Sequence, residues 1–366
     1  MKKVLIVTAH RLNRAPNQRF RFEQYLDFLK SQGYDCEVSY LLDAKADAVF
    51  YQRGQWLKKL LILINAFKTR FFDLKRASEY DLLFICREAF LIGTTYFERK
   101  FVESGVPTVF DFDDAIWNLD VSEGNKKLAW LKNPAKTSII IKQVKHVIAG
   151  NKYLADYASQ FNDNVTIIPT TLDTDYHKPA FSESNNSKPV CIGWTGSLTT
   201  VKHFRLAEPV LLRIKDKYKE KVIFKVIGDG NYVNNGLGVK GVAWSLKKEI
   251  EDLQDIDIGI MPLPDDEWAK GKCGFKGLTY MSMGTPAIMS PVGINTEIVT
   301  HGENGFLAAT DEEWFNAICF LIDHPDERER MGANARQTII DHYSIESQKW
   351  KYLEVFSNLL ANVCSK

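Results

Sequence analysis

Residues 272–308 read KCGFKGLTYMSMGTPAIMSPVGINTEIVTHGENGFLA, and their pattern indicates the kind of fold that this chain adopts. Phe275, Leu278 and Met281 recur at helical spacing, which predicts a helix that begins near Phe275, ends at Gly284 and packs these side chains inward. The short apolar runs PAIMS and GFLAA follow, and each predicts a buried strand. A helix next to short apolar strands is typical of a parallel α/β sheet.

The same alternation extends over the whole chain. Helical segments separate the apolar runs, and one of them, RFRFEQYLDFLKSQG, is predicted to end at Gly33. This β-α-β-α order predicts parallel, doubly wound sheets. Further strands are predicted at KVLIVT, CEVSY, LLFIC, PTVFDF, HVIAG and VTIIP in the first half, and at VCIGWTG, VIFKVIGDG and IDIGIMP in the second.

The run HKPAFSESNNSKP at 177–189 interrupts this rhythm, and its prolines, serines and asparagines predict a linker. We therefore expect an α/β protein with two Rossmann-like domains that face a cleft, where a ligand would bind. The predicted segments are an acceptor-binding domain at 1–178, a linker at 179–189, a donor-binding domain at 190–345 and a C-terminal helix at 346–366 that packs back on the first domain.

The composition of the chain argues against several classes of function. A net charge of +1 over 366 residues gives no global attraction to nucleic acid, so no nucleic-acid partner is expected. The six cysteines form no C-x-x-C pair and the seven histidines are dispersed, so no metal site is predicted. The sequence shows neither a signal-peptide core nor an apolar run of about 20 residues, so we expect a cytoplasmic protein.

The stretch VPTVFDFDDAIW at 106–117 ends a predicted strand on Asp111, Asp113 and Asp114. It resembles the first motif of haloacid-dehalogenase-like phosphatases, and VIGDGNYVNN at 226–235 resembles their late Gly-Asp motif. The threonine expected after the second aspartate is absent, the late motif lacks its second aspartate, and the predicted linker separates the two pieces. The alternative is that these aspartates cap the next turn, although three adjacent carboxylates cannot all be buried and ionised without partners.

The helix predicted near Phe275 carries residues suited to an anionic ligand. Gly271 and Gly274 would let the backbone approach a ligand closely. We expect Lys272 and Lys276 in the first turn, where backbone N–H groups are free, and Thr279 on the same side as Lys276. The matching loop after the strand VCIGWTG offers Gly196, Ser197 and Lys202. The alternative is that these lysines belong to a solvated face.

Residues 272–308, together with IGWTGSLTTVKHF at 192–204, resemble the donor-binding half of a group 1 glycosyltransferase with the GT-B fold. RAPNQRFRFEQYL, FICREAF, VFDFDDAIW and VIAGNKYLADYA also resemble members of this group, in the same order along the chain. The resemblance implies a nucleotide-sugar donor and no metal. It implies a donor site at Gly196, Ser197, Lys202, Val242, Trp244, Lys272, Gly274, Phe275, Lys276, Thr279 and Glu297, and an acceptor side at Arg19, Arg87, Glu88, Asp113 and Asp114.

Two departures from the family pattern concern the reacting groups. An ungapped match puts Gly271 and Thr279 where many members carry two glutamates. The same match puts Asp113 where many members carry a histidine, so Asp113 and Lys276 become the predicted catalytic residues. Glu297 follows Asn295, which is a plausible N-cap; Glu297 would bind the donor or favour its helix dipole.

The resemblance implies a retaining, metal-independent transferase of bacterial surface-polysaccharide synthesis that needs no cofactor. It would move a sugar from a nucleoside diphosphate sugar, UDP- or GDP-linked, to a glycan or a lipid-linked acceptor. Two alternatives on the same fold are a nucleotide-sugar epimerase and a non-catalytic nucleotide-sugar-binding module. The phosphatase is a more remote alternative.

The segment WLKKLLILINAFKTRFFDLKRA at 56–77 combines apolar residues at helical spacing with six basic side chains. One interpretation is a helix that packs its apolar face on the first sheet and leaves its lysines solvated. The other is an amphipathic surface that rests on an anionic membrane, as a peripheral protein on its inner face. The apolar set is Leu57, Leu60, Leu61, Ile64, Phe67, Phe71 and Leu74, and the basic set is Lys58, Lys59, Lys68, Arg70, Lys75 and Arg76.

Overall fold

The computed structural model describes residues 1–52, 54–118, 132–179 and 188–364, and the chain divides into two compact units. The N-terminal unit comprises Met1–Thr170 and Gln348–Lys366, and the C-terminal unit comprises Thr171–Ser347. Most of the predicted linker at 179–189 lies outside the described residues. The division falls at Thr170 rather than after residue 178, because Leu172 bonds to the Tyr343 carbonyl within the C-terminal unit.

A parallel sheet of six strands forms the centre of the N-terminal unit. Its middle strands are apolar and buried on both faces, which is why a parallel sheet with helices on its two sides is stable here. The strands are β1 (Lys2–His10), β2 (Tyr34–Leu42), β3 (Leu82–Cys86), β4 (Thr108–Phe112), β5 (His146–Ala149) and β6 (Val165–Ile167). Their order is β2-β1-β3-β4-β5-β6, and the predicted strands of the first half are confirmed.

Seven α-helices accompany this sheet within the described residues. They are α1 (Pro16–Arg19), α2 (Leu26–Ser31), α3 (Ala44–Phe50), α4 (Trp56–Arg76), α5 (Tyr96–Glu103), α6 (Lys136–Gln143) and α7 (Lys152–Ala158). Short 3₁₀ helices occur at Glu23–Tyr25 and Ala77–Glu79. The continuous helix predicted up to Gly33 is wrong, because α1 ends at Arg19 and the following turn holds Arg21 in a buried pair with Asp111 before the chain enters the 3₁₀ helix and α2.

Helix α4 has its apolar face turned to solvent. Leu57, Leu60 and Leu61 are exposed, whereas Lys59 and Arg70 are buried. The interpretation in which the apolar face packs on the sheet is therefore wrong, whereas its solvated lysines are found at Lys58, Lys68 and Lys75 but not at Lys59. The physical reason is Arg70, whose guanidinium donates to the carbonyls of Thr8 and Ala89 and fixes the rotation of the helix.

The C-terminal unit contains a second parallel sheet. Its strands are β7 (Val190–Thr195), β8 (Val222–Ile227), β11 (Ile258–Met261), β12 (Ala287–Met289) and β13 (Gly305–Leu307), and the short strands β9 (Val233–Asn234) and β10 (Val239–Lys240) form a separate antiparallel ribbon. The five strands lie in the order β13-β12-β11-β7-β8 and pair in parallel, which confirms the predicted parallel sheet. The ribbon is not foreseen by the sequence pattern, since each of its strands has only two residues.

Helices flank the second sheet as well. They are α8 (Val201–Tyr218), α9 (Glu249–Gln254), α10 (Glu267–Lys270), α11 (Phe275–Ser282), α12 (Asn295–Ile298), α13 (Asp311–Asp323) and α14 (Pro325–His342), with a 3₁₀ helix at Lys219–Lys221. Helix α11 is the one predicted in the opening stretch. It is buried on nearly every side rather than on one face, because it lies against β11 and α14.

The last helix, α15 (Ile345–Cys364), contributes its residues from Gln348 onward to the N-terminal unit. The Tyr352 ring lies 4.6 Å from the Tyr25 ring, and the Phe356 ring lies 5.6 Å from the Tyr34 ring. These aromatic contacts add apolar burial to the N-terminal core. Among the described residues, no helix combines the length and hydropathy that a membrane span requires.

Candidate active site

The loops that follow strands β7 and β8 form the first part of the donor-side candidate site. In open parallel sheets, ligands bind at the carboxyl ends of the strands, where the strand order reverses. That reversal lies at β7, which has β8 on one side and β11 on the other. The predicted residues Gly196 and Ser197 follow β7 directly, and Lys202 is exposed on the first turn of α8.

Two glycines hold these loops together. Gly228 has a φ of +125°, and a Cβ there would lie 1.8 Å from the Gly196 carbonyl oxygen. The backbones at Gly196 and Gly228 therefore touch directly, which a side chain at position 228 would prevent. The Ser197 amide donates to Thr200 Oγ1 at 2.9 Å, so the loop closes on the start of α8.

Helix α11 is fixed at the same edge of the sheet. Its N-cap residue Gly274 has a φ of +68°, and a Cβ there would lie 2.2 Å from Ile298 Cδ1. The glycine is thus required by the chain's own packing, and not only by the approach of a ligand. Tyr280 links α11 to the end of β7, because its hydroxyl accepts a hydrogen bond from the Thr195 amide at 2.7 Å.

Lys276 is buried on the first turn of α11. It is 9% exposed, and its Nζ lies 5.6 Å from the centroid of the buried Trp194 ring. The interpretation of Lys276 as part of a solvated face is therefore wrong. A buried cation is costly unless it has compensating contacts, so a lysine here indicates a specific role.

Lys272 lies outside the first turn of α11, three residues before Phe275, which corrects its predicted position. Its amide donates to the Ala269 carbonyl at 3.1 Å, so this segment continues the end of α10. The Lys272 Nζ lies 4.9 Å from the Trp268 ring centroid, which holds the half-buried side chain in place.

His203 connects the three predicted lysines. The pKa of His203 is lowered from 6.5 to about 4, chiefly by burial and then by the charges of Lys276, Lys272 and Lys202, with Asp266 opposing the shift. All three lysines therefore act on one imidazole at the carboxyl edge of the sheet. His203 itself was missed, although its spacing with Phe204 and Ala207 on one helix face indicates a buried position.

The remaining donor-side residues take varied positions. Thr279 is buried and donates from its hydroxyl to the Phe275 carbonyl at 2.8 Å, so its proton is engaged within α11. Phe275 and Val242 are half-buried, and the Val242 amide donates to the Val226 carbonyl at 2.8 Å. Gly271 adopts a φ of −74°, which any residue can adopt.

Trp244 is 40% exposed, and its Nε1 donates to Glu249 Oε1 at 3.2 Å. It is therefore a surface residue rather than part of the core. Glu297 is exposed on α12. The expectation that Asn295 caps this helix is wrong, because Asn295 is its first residue and its side chain donates to the Ser290 carbonyl at 2.9 Å.

The aspartates at the end of β4 lie against arginines from distant parts of the sequence. Asp111 pairs with the fully buried Arg21, whose Nη2 lies 2.5 Å from Asp111 Oδ1. Arg87 donates to Asp113 at 2.7 Å and to Asp114 at 2.5 Å. Guanidinium groups therefore engage all three carboxylates.

Arg87 occupies a strained backbone position. Its φ is +62°, a region that non-glycine residues rarely adopt, and its amide donates to the Asp111 carbonyl at 2.8 Å. Burial raises the pKa of the Asp113 carboxyl, Arg87 opposes this shift, and the neighbouring Asp114 reinforces it. Strain and a raised carboxyl pKa at the end of a central strand are typical of functional positions.

The other acceptor-side residues lie near the same edge. Lys136 Nζ lies 3.1 Å from Glu88 Oε2; burial tends to raise the pKa of Glu88, but the Lys136 charge lowers it below its usual value. Arg19 is half-buried, with its guanidinium carbon 4.7 Å from the centroid of the Phe20 ring.

His10, at the end of β1, is a further residue that the sequence analysis missed. Its Nε2 lies 3.1 Å from the Tyr51 hydroxyl, and nearby Asp47 is bound by Arg11 and Arg14. Burial lowers the pKa of His10 to about 4, with Asp47 opposing the shift. The only available signal was its place at the carboxyl end of a predicted first strand.

The topology contradicts the phosphatase alternative. That reaction needs the acidic strand end and the Gly-Asp stretch at 226–235 in one sheet. Here β4 belongs to the sheet of the N-terminal unit and β8, which precedes Asp229, belongs to the sheet of the C-terminal unit. Within the described residues, no three His, Cys, Asp or Glu side chains are grouped so that they could hold a metal ion.

Part of the second unit matches a known protein family. Residues 189–324 match the family described as glycosyl transferases group 1. The uncharacterized glycosyltransferase MJ1069 of Methanocaldococcus jannaschii is 24% identical over 261 residues, which cover 65% of each chain. A trehalose synthase of Pyrococcus horikoshii is 30% identical over 86 residues, 23% of this chain and 21% of that protein. The matched region therefore spans less than two thirds of either relative.

Solved structures resemble the chain over almost its whole length. The Anabaena protein Alr3699/HepE in complex with UDP-glucose matches with a TM-score of 0.68 and 16% identity, over 98% of this chain and 100% of that one. A glycosyltransferase from Rickettsia africae matches with a TM-score of 0.69 and 15% identity, over 99% of both chains. At such identities the likeness shows the fold, which is the expected GT-B fold. The match to the group 1 glycosyl transferases thus concerns residues 189–324, and the likeness in fold concerns almost the whole chain.

Proposed function

We propose that this chain transfers a sugar from a nucleoside diphosphate sugar to a glycan or lipid-linked acceptor in surface-polysaccharide synthesis. The observation that carries the proposal is the family match of residues 189–324, together with the buried Lys276 on the first turn of α11, whose Nζ lies 5.6 Å from the Trp194 ring centroid at the carboxyl edge of the C-terminal sheet. Lys202 and Lys272 lie at the same edge and add positive charge. Such a concentration of positive charge suits a diphosphate. The UDP and UDP-glucose complexes of the Anabaena protein support a UDP-linked donor, with a GDP-linked donor as the second choice.

The reaction breaks the bond between the sugar C1 and the diphosphate oxygen, so negative charge grows on the leaving group. Fixed positive groups that face this charge lower the barrier. We assign this role to Lys276 and Lys272, assisted by the N-terminus of α11, which carries partial positive charge. Thr195, Tyr280 and Gly274 are positioning residues, because they fix the helix that presents Lys276.

In this scheme the N-terminal unit binds the acceptor. Asp113 orients the acceptor hydroxyl, and Arg87 fixes the carboxylate by the 2.7 Å hydrogen bond. Arg19, Glu88 and Asp114 line the acceptor side. We assign a retaining outcome, in which the leaving phosphate takes the acceptor's proton.

We propose a metal-independent reaction, since lysines of the chain supply the positive charge and arginines engage the aspartates after β4. Turnover should persist in EDTA. Loss of turnover in EDTA with recovery in Mg²⁺ would contradict this assignment.

A thermal-shift panel of nucleoside diphosphates and their sugars tests the donor proposal. A ligand that binds only the folded chain stabilises it by about 2.7 kcal/mol at a hundred times its Kd. We expect UDP and a UDP-sugar to raise Tm, and Lys276→Met to reduce the shift. Lys221→Met, which changes an exposed lysine of the same unit, serves as the matched control. Absence of any shift across the panel would refute a nucleotide-sugar donor.

A further inference from the structure

Helix α4 exposes a continuous apolar surface, which we call the α4 face. Leu57 is 80% exposed, Phe72 is 62% exposed and Leu61 is 59% exposed. Exposed apolar areas of this extent usually mark a surface that binds another protein or a membrane. The α4 face consists of Trp56, Leu57, Leu60, Leu61, Ile64, Phe67, Phe71 and Phe72, all of them exposed.

The orientation of α4 is fixed by charge on its buried side. Arg70 donates to the Thr8 and Ala89 carbonyls, each at 2.5 Å, and pairs with Asp73 at 2.9 Å. Breaking a buried ion pair of this kind costs about 3–5 kcal/mol, so the helix cannot turn its apolar face inward without a large loss.

The charges on the exposed side are positive. Lys58, Lys68 and Lys75 are exposed, while the only carboxylate of the helix, Asp73, is buried. Lys68 and Lys75 flank a shallow depression whose apolar lining is Phe67, Phe71 and Phe72. An apolar floor with a cationic rim is complementary to acyl chains beneath anionic head groups.

We infer that the α4 face docks on an anionic membrane surface and brings the acceptor side of the N-terminal unit to a lipid-linked acceptor. The inference rests on the proposed function for its acceptor. The link is direct, because Arg70 of α4 binds the carbonyl of Ala89, which follows Arg87 and Glu88. The Phe67 ring also lies 6.4 Å from the Phe90 ring of the same loop.

A second copy of this chain fits the α4 face less well than a membrane does. A two-fold dimer sets identical patches against each other. Lys58, Lys68 and Lys75 would then meet the same three lysines, and the exposed side of the helix offers no carboxylate to balance them. An anionic lipid surface instead provides the balancing charge.

Vesicle co-sedimentation of the full chain tests the inference without using activity. We compare vesicles of phosphatidylcholine alone with vesicles that also contain phosphatidylglycerol, at low and high salt. Binding is expected only with the anionic lipid, and salt should weaken it. One basic residue near such a surface is worth ~1 kcal/mol, a factor of about five, so Lys68→Gln/Lys75→Gln should weaken binding about thirty-fold.

The controls separate this inference from the proposed function. Lys142→Gln/Lys145→Gln removes two exposed lysines of the same unit outside α4 and should bind vesicles as the unchanged chain does. Leu57→Ser/Leu61→Ser should lose vesicle binding yet keep the thermal shift with UDP. Negligible binding in all conditions, or equal binding to neutral and anionic vesicles, would overturn the inference. The inference would also be overturned if the unchanged chain did not bind vesicles but formed a dimer that Leu57→Ser/Leu61→Ser dissociates.

Discussion

The carboxyl edges of the two sheets differ in how their charged side chains are paired. After β4, Arg21 and Arg87 engage the three aspartates. Near the starts of α8 and α11, Lys202, Lys272 and Lys276 lower the pKa of His203, and Asp266 opposes them. At the first edge, two arginines of the chain offset most of the charge of three carboxylates, which suits the orientation of a neutral sugar hydroxyl. The second edge carries an excess of positive charge around a buried imidazole, which suits an anion supplied from outside.

Lys276→Met gives the largest expected effect and tests the positive edge directly. Methionine keeps an unbranched stem against Trp194 but removes the charge. We expect kcat/KM for glycosyl transfer to fall by an amount that corresponds to a loss of about 2–4 kcal/mol of transition-state stabilisation. The contact between Lys276 and the diphosphate strengthens as negative charge builds on the leaving group. Steady-state kinetics with Lys221→Met as control measure the loss. A folded Lys276→Met protein with unchanged kcat/KM would place the diphosphate elsewhere.

Arg87→Met tests the contacts of the aspartates that follow β4. The change leaves Asp113 and Asp114, whose side chains are 13% and 21% exposed, as adjacent carboxylates without this guanidinium. We expect a loss of about 2–3 kcal/mol in the free energy of unfolding, below the range for a fully buried pair. Urea unfolding measures it.

Two comparisons sharpen this test. Arg99→Met removes an arginine that is 54% exposed and should cost less than about 0.5 kcal/mol. Adding Asp113→Asn and Asp114→Asn to Arg87→Met should restore most of the lost stability. If the triple variant remains as unstable as Arg87→Met, the loss stems from the packing of the Arg87 side chain rather than from its charge.

The fold was largely predictable because strand alternation is a local signal. Each apolar run that predicts a strand corresponds to a strand of one of the two parallel sheets. The rotation of α4 was not predictable, because helical spacing shows which residues share a face but not which way that face turns. What decides it is Arg70, whose partners at Thr8 and Ala89 are 62 and 19 residues away.

Individual residues of the site could be predicted from the sequence, but the interactions between them could not. Lys202, Lys272 and Lys276 could be selected from the sequence, because their loops follow predicted strands or precede a predicted helix. Their common effect on His203 depends on the way α8 and α11 pack, which a one-dimensional pattern does not contain. Similarly, Asp111 and its partner Arg21 are 90 residues apart.

His203→Gln gives a smaller effect, visible only in acid. The pKa of His203 is lowered from 6.5 to about 4 in the folded chain, so the unfolded chain binds more protons between these values. His203 therefore favours folding above pH 6.5, and this contribution is lost as pH falls from 6.5 toward 4. The full shift corresponds to at most ~3 kcal/mol. Urea unfolding of His203→Gln should depend less on pH across this window than that of the unchanged chain.

Nucleotide binding should change the pKa of His203 but not that of His10, whose pKa is also lowered to about 4. If a diphosphate binds near Lys202, Lys272 and Lys276, its negative charge offsets their effect and raises the pKa of His203. We expect a rise of about half a unit, or ~0.7 kcal/mol, in an NMR titration with UDP. His10 belongs to the N-terminal unit, where Arg11, Arg14 and Asp47 govern its charge, so its titration should stay unchanged. An equal rise at both histidines, or none at His203 while UDP still raises Tm, would show that the anion binds away from the three lysines.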